Sequence, residues 1–189
     1  PGNAMYDGRK NHTVAPYELI PWILCQCKDT QEAVALLEKT CLSPISFSDE
    51  LPVTDLHWII SDKTKSVTLE PLKGGLVIRE NPVGVLTNNP PFDYHLHNLK
   101  NYLKLSEKDP ENTVVPGLEL NPYSRGMGAI GLPGDLSSAS RFIKAVFTAH
   151  HSVRPVQESD AVNQFFHILG AVYQQEGCVR VGNGYEKTV

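Results

Sequence analysis

Residues 56–88 read LHWIISDKTKSVTLEPLKGGLVIRENPVGVLTN, and this run decides the fold class. It holds four β-rich segments in succession: LHWIISD (56–62), SVTLEPL (66–72), GLVIRE (75–80) and VGVLTN (83–88). Only the turn signals Asp62-Lys63, Gly74-Gly75 and Asn81-Pro82 separate them. A parallel pair needs a crossover of about a dozen residues or more, so connections this short predict antiparallel pairing.

Helical patterns flank the block. Upstream, PYELIPWILCQC (16–27) reads as a helix entered through Pro16 and disturbed at Pro21. Asp29 followed by Glu32 has the form of a capping box. It opens a helix through Lys39 with Val34, Leu37 and Cys41 on one stripe. Residues 42–55 are a long loop whose Ile45, Phe47 and Leu51 suit either an apolar pocket wall or core packing beneath the loop. Downstream, a helix over 92–105 would bury Phe92, Leu96, Leu99 and Leu103. A second, over 136–149, would bury Ala139, Phe142, Ile143, Val146 and Phe147. A last, over about 159–175, would cap on Ser159 and bury Val162, Phe165, Phe166, Leu169 and Val172. Strands stand together and helices stand together, so the class is α+β, not alternating βαβ. The length fits a single domain over residues 1–189.

Bulk properties exclude several partners. A composition with 41% hydrophobic and 20% charged residues can build a core, which excludes disorder. The net charge of −4, with Lys and Arg scattered, predicts no nucleic-acid surface. The apolar runs are too short to span a bilayer, so no membrane partner is expected. Cys25, Cys27, Cys41 and Cys178 lack paired zinc spacing and are expected as buried, reduced thiols of a cytoplasmic protein. His95 and His97, two apart on a helix, point to different faces, and the adjacent His150 and His151 cannot share one ion. No metal and no cofactor are expected. Asn11-His12-Thr13 has the form of a glycosylation acceptor, which carries no weight without a secretion signal.

The stretch GMGAIGLPGDLSSASRF (126–142) contains G-x-G-x-x-G at Gly126, Gly128 and Gly131. A dinucleotide turn must follow a buried strand and open directly into a helix. Here LELNPYSR precedes it and the breaker Leu132-Pro133-Gly134 follows. Val146, Phe147 and Thr148 occupy the place, about 20 residues on, where the ribose-binding acid belongs. A phosphate cradle is therefore excluded, and Asp135 or Ser137 becomes the cap of the following helix.

Two positions could carry chemistry. Asn88 ends a strand pattern before Asn89-Pro90. It reads either as a turn former or as an amide donor to a developing oxyanion. Arg141 lies near the start of a helix, against the macrodipole and off the apolar stripe. It reads either as a surface residue or as a cation turned toward an active site.

The same residues carry a family resemblance. LHWIISD, VGVLTNNPPFDYHLHNLKNYL and YSRGMGAIGLPGDLSSASRFIKAVF resemble the choloylglycine hydrolase family, the bile salt hydrolases and penicillin V acylases, through nearly the whole chain. The glycine–LPGD–SSASRF run is most similar to bile salt hydrolases of Gram-positive gut bacteria. The resemblance implies an αββα sandwich of the N-terminal nucleophile hydrolase type, in which an N-terminal Cys attacks an amide carbon and its own α-amine is the base. It implies that Asn88 helps hold the oxyanion and that Arg141 stands beside the nucleophile. Substrates would be glycine- or taurine-conjugated bile acids, and the whole protein would be a homo-oligomer, a tetramer.

The family's N-terminal Cys, with the Arg and Asp that follow it, has no counterpart here. Pro1-Gly2 resembles a point inside the family chain, and the C-terminal strands are also expected to be missing. The four cysteines are internal and offer no free α-amine. The chain is thus expected to be a central fragment that hydrolyses nothing alone and is prone to aggregate. The rivals are a penicillin V acylase, a non-catalytic protein binding steroid acids or a partner, and catalysis by Pro1 flanked by Arg9 and Lys10.

Overall fold

The computed structural model describes residues 4–7, 13–182 and 184–186. Pro1, Arg9, Lys10 and the Asn11-His12 part of the acceptor triplet lie outside the described residues. The fold groups into two units, residues 1–94 and 95–189.

In the first unit β1 (Thr13–Val14) pairs in parallel with β2 (Cys41–Leu42), and α1 (Leu19–Leu24) and α2 (Thr30–Leu37) lie between them in sequence. Pro21 does not disturb α1. It falls in the first turn, where its missing N–H has no intrahelical acceptor to lose, and its carbonyl accepts from Cys25 N–H at 3.0 Å. Asp29 caps α2 as expected, accepting from Glu32 N–H at 2.9 Å. Glu32 returns its carboxylate to Lys28 N–H at 3.1 Å, one residue outside the reciprocal box. The buried stripe of α2 is Thr30, Ala33 and Leu37; Val34 is half-buried, and Cys41 lies beyond the helix in β2. Ala33 and Leu37 join Val14, Leu19, Ile23, Leu42 and Leu69 in one core.

Three β-rich segments pair antiparallel as their short turns require. β3 (Trp58–Ser61), β4 (Ser66–Leu72) and β5 (Gly75–Glu80) form a sheet with β4 central, Trp58 opposite Leu69 and Leu69 opposite Ile78. The fourth segment, 83–88, corrects the sequence reading: it forms no ladder. The Asn81 side chain bends the backbone there. Its Oδ1 accepts from Val83 N–H at 3.3 Å and Gly84 N–H at 2.9 Å, and its Nδ2 donates to Val85 carbonyl at 3.1 Å. Gly84 takes φ +64°, a left-handed conformation that glycine adopts without strain.

α3 (Phe92–Leu99) begins in the first unit and continues into the second, then tightens into a 3₁₀ turn, Lys100–Tyr102. The tightening ends the 3.6-residue periodicity. Leu103, expected in the core, is therefore 83% exposed. α4 (Ser138–His151) is capped by Ser137, which accepts from Ser140 N–H at 3.3 Å, and buries Phe142, Ile143 and Val146. α5 (Glu158–Gly170) starts before Ser159, which sits in its first turn and does not cap it. Its apolar stripe is exposed, not buried: Val162, Phe165, Phe166 and Leu169 are 51%, 56%, 65% and 41% accessible. Helical periodicity marks which face is apolar, but another element must cover it. The hairpin β6 (Val179–Val181) and β7 (Gly184–Glu186) ends the described chain. The thiols correct another expectation: Cys41 is buried, Cys27 half-buried, and Cys25 and Cys178 are exposed.

Candidate active site

Asn88 belongs to the first unit and Arg141 to the second, and each is set by its own surroundings. The segment that carries Asn88 is fastened at both ends. At one end stands the Asn81 turn. At the other, the buried Glu70 of β4 accepts Phe92 N–H, at 3.1 Å and 3.2 Å from its two oxygens, at the start of α3. Burial pushes the Glu70 carboxyl above its usual range, and the Phe92 N–H opposes that rise. Phe92 is fully buried, and Arg79 pairs with Asp93 at 3.1 Å. Between these anchors Asn88 is half-buried at the start of the bend 88–90. The turn-forming asparagine of this segment is Asn81.

Arg141 sits in a polar cluster that wraps the start of α4. Asp135 accepts from Ser137 N–H at 2.9 Å and from Ser140 Oγ at 2.5 Å. The hydroxyls of Ser137 and Ser140, with that N–H, hold the Asp135 carboxyl down to about 2. Arg141 is half-buried and folds back: its Nε donates to the Leu136 carbonyl at 3.2 Å. The Nε2 of Gln174 donates to the same carbonyl, also at 3.2 Å. The guanidinium plane is therefore set by the Leu136 carbonyl, despite the repulsion of the positive N-terminal end of α4, and does not trail into solvent.

The glycine run serves packing. The amides of Gly126 and Met127, which a phosphate cradle would use, point to Asp109 Oδ1 at 3.0 Å and 3.3 Å. Gly128 carbonyl accepts from Ser106 N–H at 2.9 Å, and a Cβ on Gly128 would collide with the carbonyl oxygens of Lys108 and Ser106. His95 is fully buried and stacked on Phe142 at 4.9 Å, with Nε2 3.5 Å from Ser138 Oγ. His151 pairs with Glu107 at 3.2 Å. Among the described residues no group of His, Cys, Asp and Glu could hold a metal ion. No described helix is long and apolar enough to cross a membrane.

The loop 42–55 resolves its two readings in favour of a wall. Ile45, Phe47 and Leu51 are 55%, 66% and 58% exposed, so they are not core. With Pro16, Tyr17 and Val53 they line an apolar groove of about 330 Å³, where Tyr17 and Phe47 meet edge to face at 5.2 Å. Burial, then the nearby Glu32 and Asp29 carboxylates, push the Cys27 thiol up, which makes it a poor thiolate.

Sequence reasoning missed Gln174, Glu70 and Asp109. Asn81-Pro82 carried a turn signal, but nothing in the sequence distinguishes Gln174 from Gln175.

Comparison with known proteins follows the same residues. The chain is 50% identical over 185 residues to a bile salt hydrolase/transferase of Lactiplantibacillus plantarum, covering 97% of this chain and 57% of the relative. A crystal structure of a variant of the conjugated bile acid hydrolase from Clostridium perfringens superposes with TM-score 0.86 at 31% identity, over 99% of this chain and 58% of that one. Penicillin V acylase from Agrobacterium tumefaciens shares the fold alone, with TM-score 0.68 at 22% identity over 94% of this chain and 48% of that one. The fold is thus α+β, of the N-terminal nucleophile hydrolase type, and the chain spans under two thirds of these relatives. Residues 3–189 match the model of the linear amide C–N hydrolases, choloylglycine hydrolase family, and the chain belongs to that family.

Proposed function

We propose that a full-length protein carrying this chain hydrolyses the amide bond of glycine- or taurine-conjugated bile acids. The reading is carried by the 50% identity, along almost the whole chain, to a protein named bile salt hydrolase/transferase. The nucleophile would be an N-terminal cysteine. Its sulfur attacks the amide carbon, its thiol proton passes through the α-amine to the departing nitrogen, and water then cleaves the thioester. Asn88 would donate to the oxyanion. Arg141 would stabilise negative charge beside the nucleophile through its η nitrogens, since Nε is engaged by Leu136. None of Cys25, Cys27, Cys41 and Cys178 has a free α-amine, so the chain alone would hydrolyse nothing.

The apolar groove beside Phe47 suits the steroid body of such an acid, and its volume is within the usual range for small-molecule sites. The whole protein would assemble as a homo-oligomer, a tetramer. In the full-length protein, Asn88→Ala and Arg141→Ala should each lower kcat by roughly 100-fold or more with thermal stability retained. Wild-type turnover in either variant would remove that residue from the site. A penicillin V acylase is the second reading, favoured by the shared fold. A higher kcat/KM for penicillin V than for glycocholate would put it first.

A further inference from the structure

Residues 173–177 read YQQEG, and one side chain in this stretch is out of place. Tyr173, Gln175, Glu176 and Gly177 are exposed, whereas Gln174 is 5% accessible. A buried polar side chain among exposed neighbours needs a partner, because burying an amide without one is costly. The amide N–H of Gln174 is directed at the Leu136 carbonyl, the group that also holds Nε of Arg141, both at 3.2 Å. A carbonyl oxygen has two lone pairs, and these two donors occupy both.

From this shared acceptor we infer that Gln174 is a positioning residue for Arg141. The inference rests on the role given to Arg141 above. Leu136 lies just outside α4, between the breaker Pro133-Gly134 and the cap Ser137, so no helical hydrogen bond fixes its carbonyl. Gln174 supplies that restraint from the turn after α5. With the carbonyl held, the arginine's Nε–H has one fixed acceptor. The plane of the guanidinium, and hence the aim of its η nitrogens, is set before substrate arrives.

The test uses the full-length enzyme. Gln174→Met keeps the length and volume of the side chain and removes the donor; Gln174→Glu keeps its size but presents a carboxylate to the carbonyl. Both should lower kcat, Gln174→Met by about three- to tenfold, with KM for glycocholate nearly unchanged. Gln175→Met, next door and exposed, should behave as wild type. Combined with Arg141→Lys, which keeps the charge but loses the Nε–H, Gln174→Met should cost little more than Arg141→Lys alone. Wild-type kcat in both Gln174 variants, or fully additive losses in the double variant, would overturn the inference while leaving Arg141 in the site. Wild-type turnover in Arg141→Ala would instead remove the role on which the inference stands. Thermal melting of each variant separates loss of fold from loss of aim, because only the latter leaves the transition intact and lowers kcat.

Discussion

Asp135 is a surface carboxylate with an unusual number of donors, and its titration should be visible in the acid stability of the protein. The hydroxyls of Ser137 and Ser140 and the Ser137 N–H favour its charged form, which lowers its folded pKa to about 2 from the ordinary 3.8. A lowered folded pKa means that the unfolded chain binds the proton more readily, so stability rises with pH across this interval. The contribution is complete above about pH 4 and fades as pH falls toward about 2. Asp62, lowered by the Thr30 N–H, the Thr64 hydroxyl and the N–H groups of Thr64 and Lys65, adds to the same acid limb. Asp135→Asn should therefore lower Tm at neutral pH and shrink the drop in Tm between pH 5 and pH 2.5 in the full-length protein. Parallel Tm curves for variant and wild type would mean that the titration of Asp135 adds nothing to the acid limb. At this scale the sequence was partly legible. Asp135 and Ser137 precede an apolar helical run, and caps belong there. Gln174 was not legible, because its burial depends on a turn that returns it to Leu136.

Among the described elements, the loop 42–55 turns Ile45, Phe47 and Leu51 outward along the apolar groove. Phe47 is 66% exposed and touches Tyr17 across the groove, so its truncation removes little from the core. Under the proposed function it gives up apolar contact with the steroid body in both the ground state and the transition state. Phe47→Ala should then raise KM for glycocholate roughly tenfold with kcat little changed, and leave Tm in place. A lowered Tm with unaltered KM would return Phe47 to a packing role. Legibility differed between neighbouring elements for physical reasons. β4 and β5 were readable because Gly74-Gly75 enforces a tight turn between two apolar runs. Residues 83–88 had the composition of a strand, but a strand also needs a partner. The Asn81 side chain had already turned the backbone at Val83 and Gly84. In α5 the helix was legible from its period, whereas what covers it was not.

For the chain as a whole, the exposed face of α5 is the feature with the largest physical consequence. Phe165 and Phe166 meet edge to face at 6.0 Å, flanked by Val162 and Leu169, and all four are at least 41% accessible. Soluble monomers rarely leave so contiguous an apolar stripe in water. Among the described residues the central sheet also has two outer strands, β3 and β5, whose unpaired sides can template intermolecular pairing. These are separate routes to association, and they can be separated experimentally. The 189-residue chain expressed alone should sediment as concentration-dependent oligomers and melt over a broad range. Phe165→Ser combined with Phe166→Ser should shift the distribution strongly toward monomer if the helix face dominates, because each replacement removes a large apolar side chain from water. If sheet edges dominate, the double variant should sediment like the parent, and a lysine on β3 at the exposed Ile59 should dissolve the oligomers instead. A monodisperse monomer with one sharp, cooperative melting transition would contradict both routes. It would mean that α5 tolerates its apolar face in solvent, and that the packing of α4 and the first-unit core suffices to hold the chain.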